Sequence, residues 1–126
     1  MLPWRLVSSK KKLGFYTLVS EFMLQQTQIK TVLPYFIRFI KRFPNVRKLS
    51  HASIRSILKQ WEGLGYYSRA KNLHLTSKII CKKYSEKIPK EISDLKLLPG
   101  IGDYTASIIM AVVNNKPHIA FDGNVK

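Results

Sequence analysis

The sequence predicts an all-α fold built as a single domain, and three observations favour this class. Apolar residues recur at helical spacing along most of the chain, and no stretch shows clear strand-type alternation. The 126 residues are enough for one domain with a real core and too few for two. Hydrophobic residues make up 45% of the chain and charged residues 23%, which is ordinary for a folded protein. About six helices joined by short loops are therefore expected.

The first three predicted helices span 14–27, 31–43 and 53–61. In the first, apolar residues such as Phe15 and Phe22 recur every three or four positions, which is the helical period. Pro34 lies near the start of the second helix, where a missing N–H group is tolerated. The segment "FPNVRKL" is then expected to break the chain. Ser53 follows it and is placed to cap the third helix through its hydroxyl.

The other three predicted helices are separated by turns rich in glycine and proline. The fourth spans 66–84 and carries an apolar stripe on one face, made of Ala70, Leu73, Ser77 and Ile80. A short fifth helix is expected after Pro89. The turn "PGIG" leads into a largely apolar sixth helix over 103–115.

The charge balance favours a polyanionic partner. Lysine and arginine outnumber aspartate and glutamate by 22 to 7, which gives a formal net charge of +15. Each basic side chain placed on a phosphate releases condensed counterions, so such a surface suits nucleic acid. AT-rich coding alone could produce a similar lysine-rich composition, so the charge by itself leaves both explanations open. The lone Cys81 excludes an internal disulfide and fits a reducing compartment.

The segment "LPGIGDYTASII" predicts a phosphate-binding turn. Gly100 and Gly102 let the backbone approach a ligand closely, and a helix begins directly after them. The unpaired N–H groups and the dipole at a helix start both favour an anion. Asp103 is discordant, because a carboxylate in this first turn repels a phosphate. The alternative is a plain connection between two helices with glycine caps.

Glu21 is the candidate catalytic carboxyl group that the residues themselves suggest. It lies in "SEFMLQQTQ" on an otherwise apolar helix, and Gln25 and Gln28 follow at spacings that place them on its face. Such a cluster differs from the lysine-rich surface expected of a solvated helix in this chain. The alternative is that these side chains are ordinary exposed polar residues.

Four motifs together resemble the adenine DNA glycosylases of the MutY type, in the helix-hairpin-helix superfamily of endonuclease III. They are "SEFMLQQTQ", "WEGLGYYSRAKNLH", "LPGIGDYTA" and "DGNVK", and they occur in that order. The resemblance runs from about Leu2 to Lys126. It implies that residues 1–126 form part of a catalytic domain, a helical barrel with the helix-hairpin-helix motif at about 91–114.

The resemblance implies base-excision repair of DNA. The family flips adenine out of a duplex where it faces 8-oxoguanine or guanine, then hydrolyses the N-glycosidic bond. Glu21, with its proton affinity raised by desolvation, is implied as the acid on adenine. Asp122 is implied as the anion that stabilises the cationic sugar, with Asn124 as a nearby donor. Tyr104 stands where endonuclease III has the lysine of its lyase reaction, so a monofunctional enzyme is expected.

The resemblance also implies which residues contact the substrate. Those implied to contact DNA are Gln25, Gln26, Tyr66, Gly100, Gly102 and Thr105. Among them, Gln26 and Tyr66 resemble the residues that insert into the duplex beside 8-oxoguanine. One tyrosine of the pair Tyr66 and Tyr67 is expected in the core. Trp4 and Arg5 resemble a segment that lines the adenine pocket of the family.

Two further parts of the family are expected outside this sequence. Family members carry a [4Fe–4S] cluster held by cysteines and a C-terminal domain that helps to read 8-oxoguanine. With Cys81 alone, no metal site is expected within this chain. The sequence leaves open a fragment or a naturally truncated product, and an active enzyme or a DNA-binding remnant without catalysis. An endonuclease III-like glycosylase for oxidised pyrimidines is the other alternative. The expected setting is a monomer on double-stranded DNA in the bacterial cytoplasm, associated with the nucleoid and not with a membrane.

Overall fold

A computed structural model describes residues 10–114 of the chain, with side chains from Lys12 onward. Over this range the chain forms seven helices and no strand. The helices are α1 (Lys10–Leu24), α2 (Ile29–Arg42), α3 (Val46–His51), α4 (Ile54–Trp61), α5 (Ser68–Lys83), α6 (Ile92–Leu95) and α7 (Asp103–Val113). The predicted all-α class is therefore confirmed.

One helix was not expected from the sequence. α3 lies within the segment that was predicted to be a break, because Asn45 starts a new helix directly after Pro44. The Asn45 side chain accepts a hydrogen bond of 2.9 Å from the Lys48 N–H, and Leu49 is buried against the core. A strong N-cap and an apolar anchor are therefore sufficient for a helix of six residues here. The predicted Ser53 cap of α4 is confirmed, since its hydroxyl accepts from the Ser56 N–H at 3.1 Å.

α1 ends three residues earlier than the sequence predicted. Its last helical residue is Leu24, and Gln26 adopts a left-handed φ of 62°, which interrupts the helical path. Gln28 therefore does not share a helical face with Glu21, and that part of the expectation was wrong. Gln28 instead lies at the N-cap of α2 and is exposed.

The core is assembled around α1, which packs against α2, α5 and α7. Its fully buried residues include Leu18, Val19, Phe22 and Met23. Trp61 at the end of α4 is also fully buried and meets the Phe39 ring edge to face, with centroids 5.9 Å apart. The predicted stripe of α5 is confirmed, since Ala70, Leu73, Ser77 and Ile80 are all buried. Because so many elements rest on α1, the position of its last turn is rigidly fixed.

Cys81 lies on α5 and faces α3 in the folded chain. The residue is only partly buried, and its thiol lies 3.3 Å from the Ser50 hydroxyl, close enough for a weak hydrogen bond. In addition, no helix of the part described is long and apolar enough to cross a membrane.

His74 is expected to make the stability of the fold sensitive to pH. The side chain is buried on α5. Desolvation is the main cause that lowers its pKa below the ordinary value of 6.5, and repulsion from Lys78 lowers it further. Hydrogen bonds to the backbone of Ala52 and Ser50 oppose this shift. The unfolded chain therefore binds a proton more readily than the folded protein as the pH falls below about 6.5. We expect the free energy of unfolding to decrease over that range. Thermal melts between pH 7.5 and pH 5 measure this decrease.

The matched control is a change at His51, which is exposed on α3. His74→Gln removes the titrating group and should make the melting temperature depend less on pH, whereas His51→Gln should leave the parent profile unchanged. If the melting temperature of both variants depends on pH as that of the parent does, His74 is not the source of the pH dependence.

Candidate active site and nucleic-acid interface

Glu21 lies in the last turn of α1 and is buried, with 6% of its surface exposed. It is the only acidic side chain classed as buried within residues 12–114. Fully buried residues flank it along the helix, Ser20 on one side and Phe22 on the other. A carboxyl group in such a place is uncommon unless it has a structural or chemical task. The alternative of an ordinary exposed residue is therefore excluded for Glu21.

The glutamine turn, residues 25–28, follows directly and sends its first two side chains to different places. The Gln25 amide Nε2 donates a hydrogen bond of 3.1 Å to the Gly100 carbonyl oxygen. Gln26 is exposed and held in the left-handed conformation. Gln25 therefore ties the glutamine turn to the rest of the molecule, while Gln26 is presented to the surroundings.

The hairpin turn, residues 96–102, joins α6 to α7 and packs closely on α1 and α5. Gly100 has a φ of 80°, and a Cβ atom there would lie 2.8 Å from the Phe22 ring and 3.0 Å from the Asn72 Cβ. No L side chain fits both the conformation and the space. Thr76 of α5 adds a hydrogen bond of 2.9 Å from its hydroxyl to the Pro99 carbonyl. The hairpin turn thus rests against Phe22, the residue that follows Glu21.

The start of α7 is open to the surroundings. Gly102 is its N-cap, and a Cβ built there meets no atom within 4 Å. Ala106 N–H makes the first intrahelical bond, to the Gly102 oxygen at 2.9 Å, so the N–H groups of residues 103–105 lie ahead of the helical ladder. The Thr105 side chain itself is buried. A contact of Thr105 with DNA would therefore use its backbone N–H group.

The discordant Asp103 carboxylate has a partner across the hairpin turn. Lys96 Nζ lies 2.8 Å from Asp103 Oδ1, and both side chains are largely exposed. The ion pair reduces the negative potential at the start of α7, although an exposed pair of this kind is screened by water. Tyr104, the next residue, is 74% exposed.

The tyrosine turn, residues 62–67, joins α4 to α5. Tyr66 is 60% exposed and Tyr67 42% exposed, so the expectation that one of them lies in the core was wrong. The core position is filled by Trp61, whose indole N–H donates to the Gly65 oxygen at 3.1 Å. With the chain held there, Tyr66 takes a left-handed φ of 48° and both rings point outward.

Arg69 connects these elements and was missed by the sequence analysis. It is buried at the start of α5, yet its guanidinium donates to the carbonyl oxygens of Gln25, at 2.6 Å, and Gly65, at 3.0 Å. Desolvation lowers the pKa of Arg69, and the nearby Tyr66 opposes this shift, but a guanidinium stays charged in proteins. The only sequence signal was a basic residue directly before the apolar stripe that begins at Ala70.

Four of the predicted site residues lie outside the part of the chain that the structure describes. They are Trp4, Arg5, Asp122 and Asn124. The pairing of Glu21 with Asp122 is therefore a sequence-based prediction, as is the adenine pocket.

The residues of this chain do not fit a [4Fe–4S] cluster. Such a cluster is held by several cysteine thiolates, and the sequence has one cysteine, whose thiol contacts Ser50. Between residues 12 and 114, no group of three or more potential ligands converges as a metal site would require.

Comparison with solved structures supports the fold. The chain is similar to a thermostable thymine-DNA glycosylase, with a TM-score of 0.80 and 21% identity over 92% of this chain and 52% of that one. A trapped covalent complex of endonuclease III with DNA gives a TM-score of 0.73 at 19% identity, covering 78% of this chain and 46% of the other. At such identities the likeness concerns the fold alone.

Curated relatives are more similar in sequence. An adenine DNA glycosylase of Buchnera aphidicola subsp. Baizongia pistaciae is 46% identical over 125 residues, which cover 99% of this chain and 34% of the relative. The adenine DNA glycosylase of Mus musculus is 35% identical, over 98% of this chain and 25% of the relative. The chain thus spans about a third or less of the length of these relatives.

The family itself is shown by a match that begins just before Glu21 and includes the glutamine turn, the tyrosine turn and the hairpin turn. Residues 19–126 match the model of the HhH-GPD superfamily base excision DNA repair proteins. The buried carboxyl group, the glycine-containing hairpin and the helical fold all agree with that match, and the chain belongs to the HhH-GPD superfamily of base excision DNA repair proteins.

Proposed function

We propose that the protein is an adenine DNA glycosylase that removes adenine placed opposite 8-oxoguanine or guanine. One observation carries the proposal: a buried carboxyl group, Glu21, lies directly beside the exposed glutamine turn, and that turn is bonded to the hairpin turn. The proposed acid and the proposed DNA-binding surface are thereby connected through a side-chain hydrogen bond. The names of the curated relatives support adenine as the base.

The reaction is a hydrolysis of the N-glycosidic bond. Adenine leaves with the electron pair of that bond, and Glu21 gives it a proton so that a neutral base departs. The sugar carries the positive charge at this stage, and Asp122 is proposed to stabilise it, with Asn124 donating a hydrogen bond to the carboxylate. Water then adds its oxygen to C1′ of the sugar and gives up a proton to a carboxylate. The burial of Glu21 suits this task, because a poorly solvated site favours the neutral form of a carboxyl group, which is the form that can donate a proton.

The DNA would be held through its backbone by the hairpin turn. The N–H groups at residues 103–105 and the open Gly102 can receive a phosphate through the backbone, while Lys96 partly offsets the repelling Asp103 carboxylate. Gln26 and Tyr66, both exposed in left-handed turns, are proposed to enter the duplex beside 8-oxoguanine and to fill the space that the flipped adenine leaves. A monomer on double-stranded DNA, at the nucleoid of a bacterial cell, is part of the same proposal.

Two other functions are less well supported. An endonuclease III-like enzyme with lyase activity needs a nucleophilic amine at position 104 to form a Schiff base, and the residue there is Tyr104, fully available at the surface. A DNA-binding remnant without catalysis would retain the same turns. The assay described below distinguishes such a remnant from an active enzyme.

The test is incubation of the purified protein with a duplex that holds one adenine opposite 8-oxoguanine. Alkali should then cut the strand at the adenine, and omission of alkali should leave it intact, as expected of a monofunctional enzyme. A duplex with cytosine opposite 8-oxoguanine serves as the control. Binding without any alkali-labile site would favour the remnant, and efficient cutting without alkali would contradict the proposed chemistry.

Asp103→Asn is expected to tighten binding to undamaged duplex about two- to fivefold at low salt, the effect of one charge at a helix terminus. The change removes the like charge beside the phosphate site and releases Lys96, its partner at 2.8 Å. Titration by fluorescence anisotropy measures the dissociation constant. Glu86→Gln is the control, since Glu86 is exposed and lies outside the hairpin. Equal effects of the two changes would show that only the net charge matters, and unchanged binding would place the phosphate elsewhere.

A further inference from the structure

The glutamine turn and the tyrosine turn each hold a residue in an unusual backbone conformation. Gln26 has a φ of 62° and Tyr66 a φ of 48°, a region that residues other than glycine seldom occupy. Such conformations persist where surrounding contacts hold them, and they occur often at functional sites. Both side chains are exposed. Something in the structure must therefore hold both turns in place.

Arg69 contacts the glutamine turn on both sides of Gln26. Its Nη1 lies 2.6 Å from the Gln25 carbonyl oxygen and 3.0 Å from the Thr27 hydroxyl. The same nitrogen is also within hydrogen-bond distance of the Phe22 and Met23 oxygens. The two hydrogens on Nη1 are thus shared among four acceptor oxygens. The guanidinium therefore caps the C-terminal carbonyl groups that α1 leaves unpaired.

Arg69 contacts the tyrosine turn through its other nitrogens. Nη2 donates to the Gly65 oxygen at 3.0 Å, and Nε donates to the Tyr66 oxygen at 3.3 Å. The guanidinium carbon also lies 5.2 Å from the centre of the Tyr66 ring and 5.6 Å from that of Trp61, within the range of a cation–π contact. The cation therefore constrains the backbone of Tyr66 and the side of the ring that faces the protein.

We propose that Arg69 is a positioning residue: it fixes the distance between the glutamine turn and the tyrosine turn, so that Gln26 and Tyr66 enter the duplex together. The proposal rests on the proposed function, and it makes the recognition of the base opposite adenine by Gln26 and Tyr66 depend on one buried guanidinium. A residue that holds both turns at once needs a planar group with donors on two sides. Lysine keeps the charge but presents its donors from a single atom, so it cannot serve both turns.

The experiment compares Arg69→Lys with Leu49→Ala in the same protein. Leu49 is fully buried on α3, which lies outside both turns and packs on α5, so its truncation should lower stability without removing a contact of Arg69. Two quantities are measured: the single-turnover rate on adenine opposite 8-oxoguanine, and the ratio of that rate to the rate opposite guanine. Arg69→Lys should lower the rate about 10- to 100-fold, the range for small errors of position, and reduce the ratio. Leu49→Ala should leave the ratio unchanged at a temperature where it is folded. Equal loss of rate with the same ratio in both variants would overturn the proposal.

A second variant guards against an Arg69→Lys protein that does not fold. Thr27→Val removes one acceptor of the guanidinium and keeps the shape of a partly buried side chain. It should lower the same ratio by a smaller factor, with cooperative unfolding retained. A Thr27→Val protein with the parent ratio would count against Arg69 as the positioning residue.

A binding measurement separates failure of this inference from failure of the proposed function. If the parent protein releases no adenine, the proposed function fails. The inference is then decided by the preference for a duplex with a tetrahydrofuran abasic analogue opposite 8-oxoguanine over undamaged duplex. A preference that Arg69→Lys or Thr27→Val reduces, and Leu49→Ala does not, supports the role of Arg69. No preference in the parent, or equal preference in all variants, contradicts it.

Discussion

Glu21→Gln is expected to abolish the release of adenine while the affinity for duplex DNA stays within about twofold of the parent. Glutamine has nearly the same shape but cannot supply the proton that the departing base needs, and loss of a general acid costs about 10²- to 10⁴-fold in rate. The side chain is buried, so it does not belong to the exposed surface that would hold phosphates. Single-turnover excision and anisotropy titration on the same duplex measure the two effects.

Glu86→Gln is the matched control for this change. Glu86 is an exposed carboxylate outside the glutamine, tyrosine and hairpin turns, so the same replacement there should leave the rate of excision unchanged. Normal turnover of Glu21→Gln would remove Glu21 from the chemistry. Equal loss of turnover and of binding would show instead that Glu21 holds the structure of the site.

Gly100→Ala is expected to destabilise the protein by about 2–5 kcal/mol, from left-handed strain of about 1–2 kcal/mol and overpacking of about 1–3 kcal/mol. The added methyl carbon would lie 2.8 Å from the Phe22 ring. Because Phe22 adjoins Glu21 and the Gly100 oxygen accepts from Gln25, the hairpin turn and the glutamine turn should move together. The melting temperature should fall, and both DNA affinity and excision should fall in the protein that stays folded.

Two other glycines separate the causes of this effect. Gly65 has a φ of 83° but meets nothing within 4 Å, and Gly102 has neither a left-handed φ nor a close neighbour. Gly65→Ala should therefore lower the melting temperature through backbone strain alone. Gly102→Ala should cause neither strain nor overpacking, apart from a small change in helix capping. If all three variants melt at the same temperature, the contact with Phe22 has no energetic role.

The sequence allowed prediction of those features that depend on local pattern. The helical period of the buried faces predicted the all-α class and the stripe that begins at Ala70, and the Ser53 hydroxyl predicted the start of α4. The apolar surroundings of Glu21 likewise pointed to an unusual carboxyl group. In each case the interactions involved lie within a few residues of one another along the chain.

The features that could not be predicted depend on contacts that the helical period does not mark, and some of these contacts join segments far apart in the chain. α1 ends at Leu24 because Arg69, far along the chain, donates hydrogen bonds to the backbone carbonyl groups at this end of the helix. Tyr66 and Tyr67 both face outward because Trp61 occupies the core beneath them. The pairing of Asp103 with Lys96 across the hairpin turn also depends on the folded shape. None of these contacts follows from the helical period of the sequence.

The packing of α1 against α7 has a consequence for synthesis of the protein on the ribosome. The helix that carries Glu21 is made first, whereas the helix that covers one of its faces is among the last of the described elements to appear. Until residue 113 has left the exit tunnel, the apolar face of α1 around Leu18 and Phe22 has no complete cover. A nascent chain therefore holds an exposed apolar helix while the segments from α2 to α7 are being made, and such a segment is of the kind that chaperones bind. Closure of the site should be a late and cooperative event, because the contact joins segments far apart in sequence.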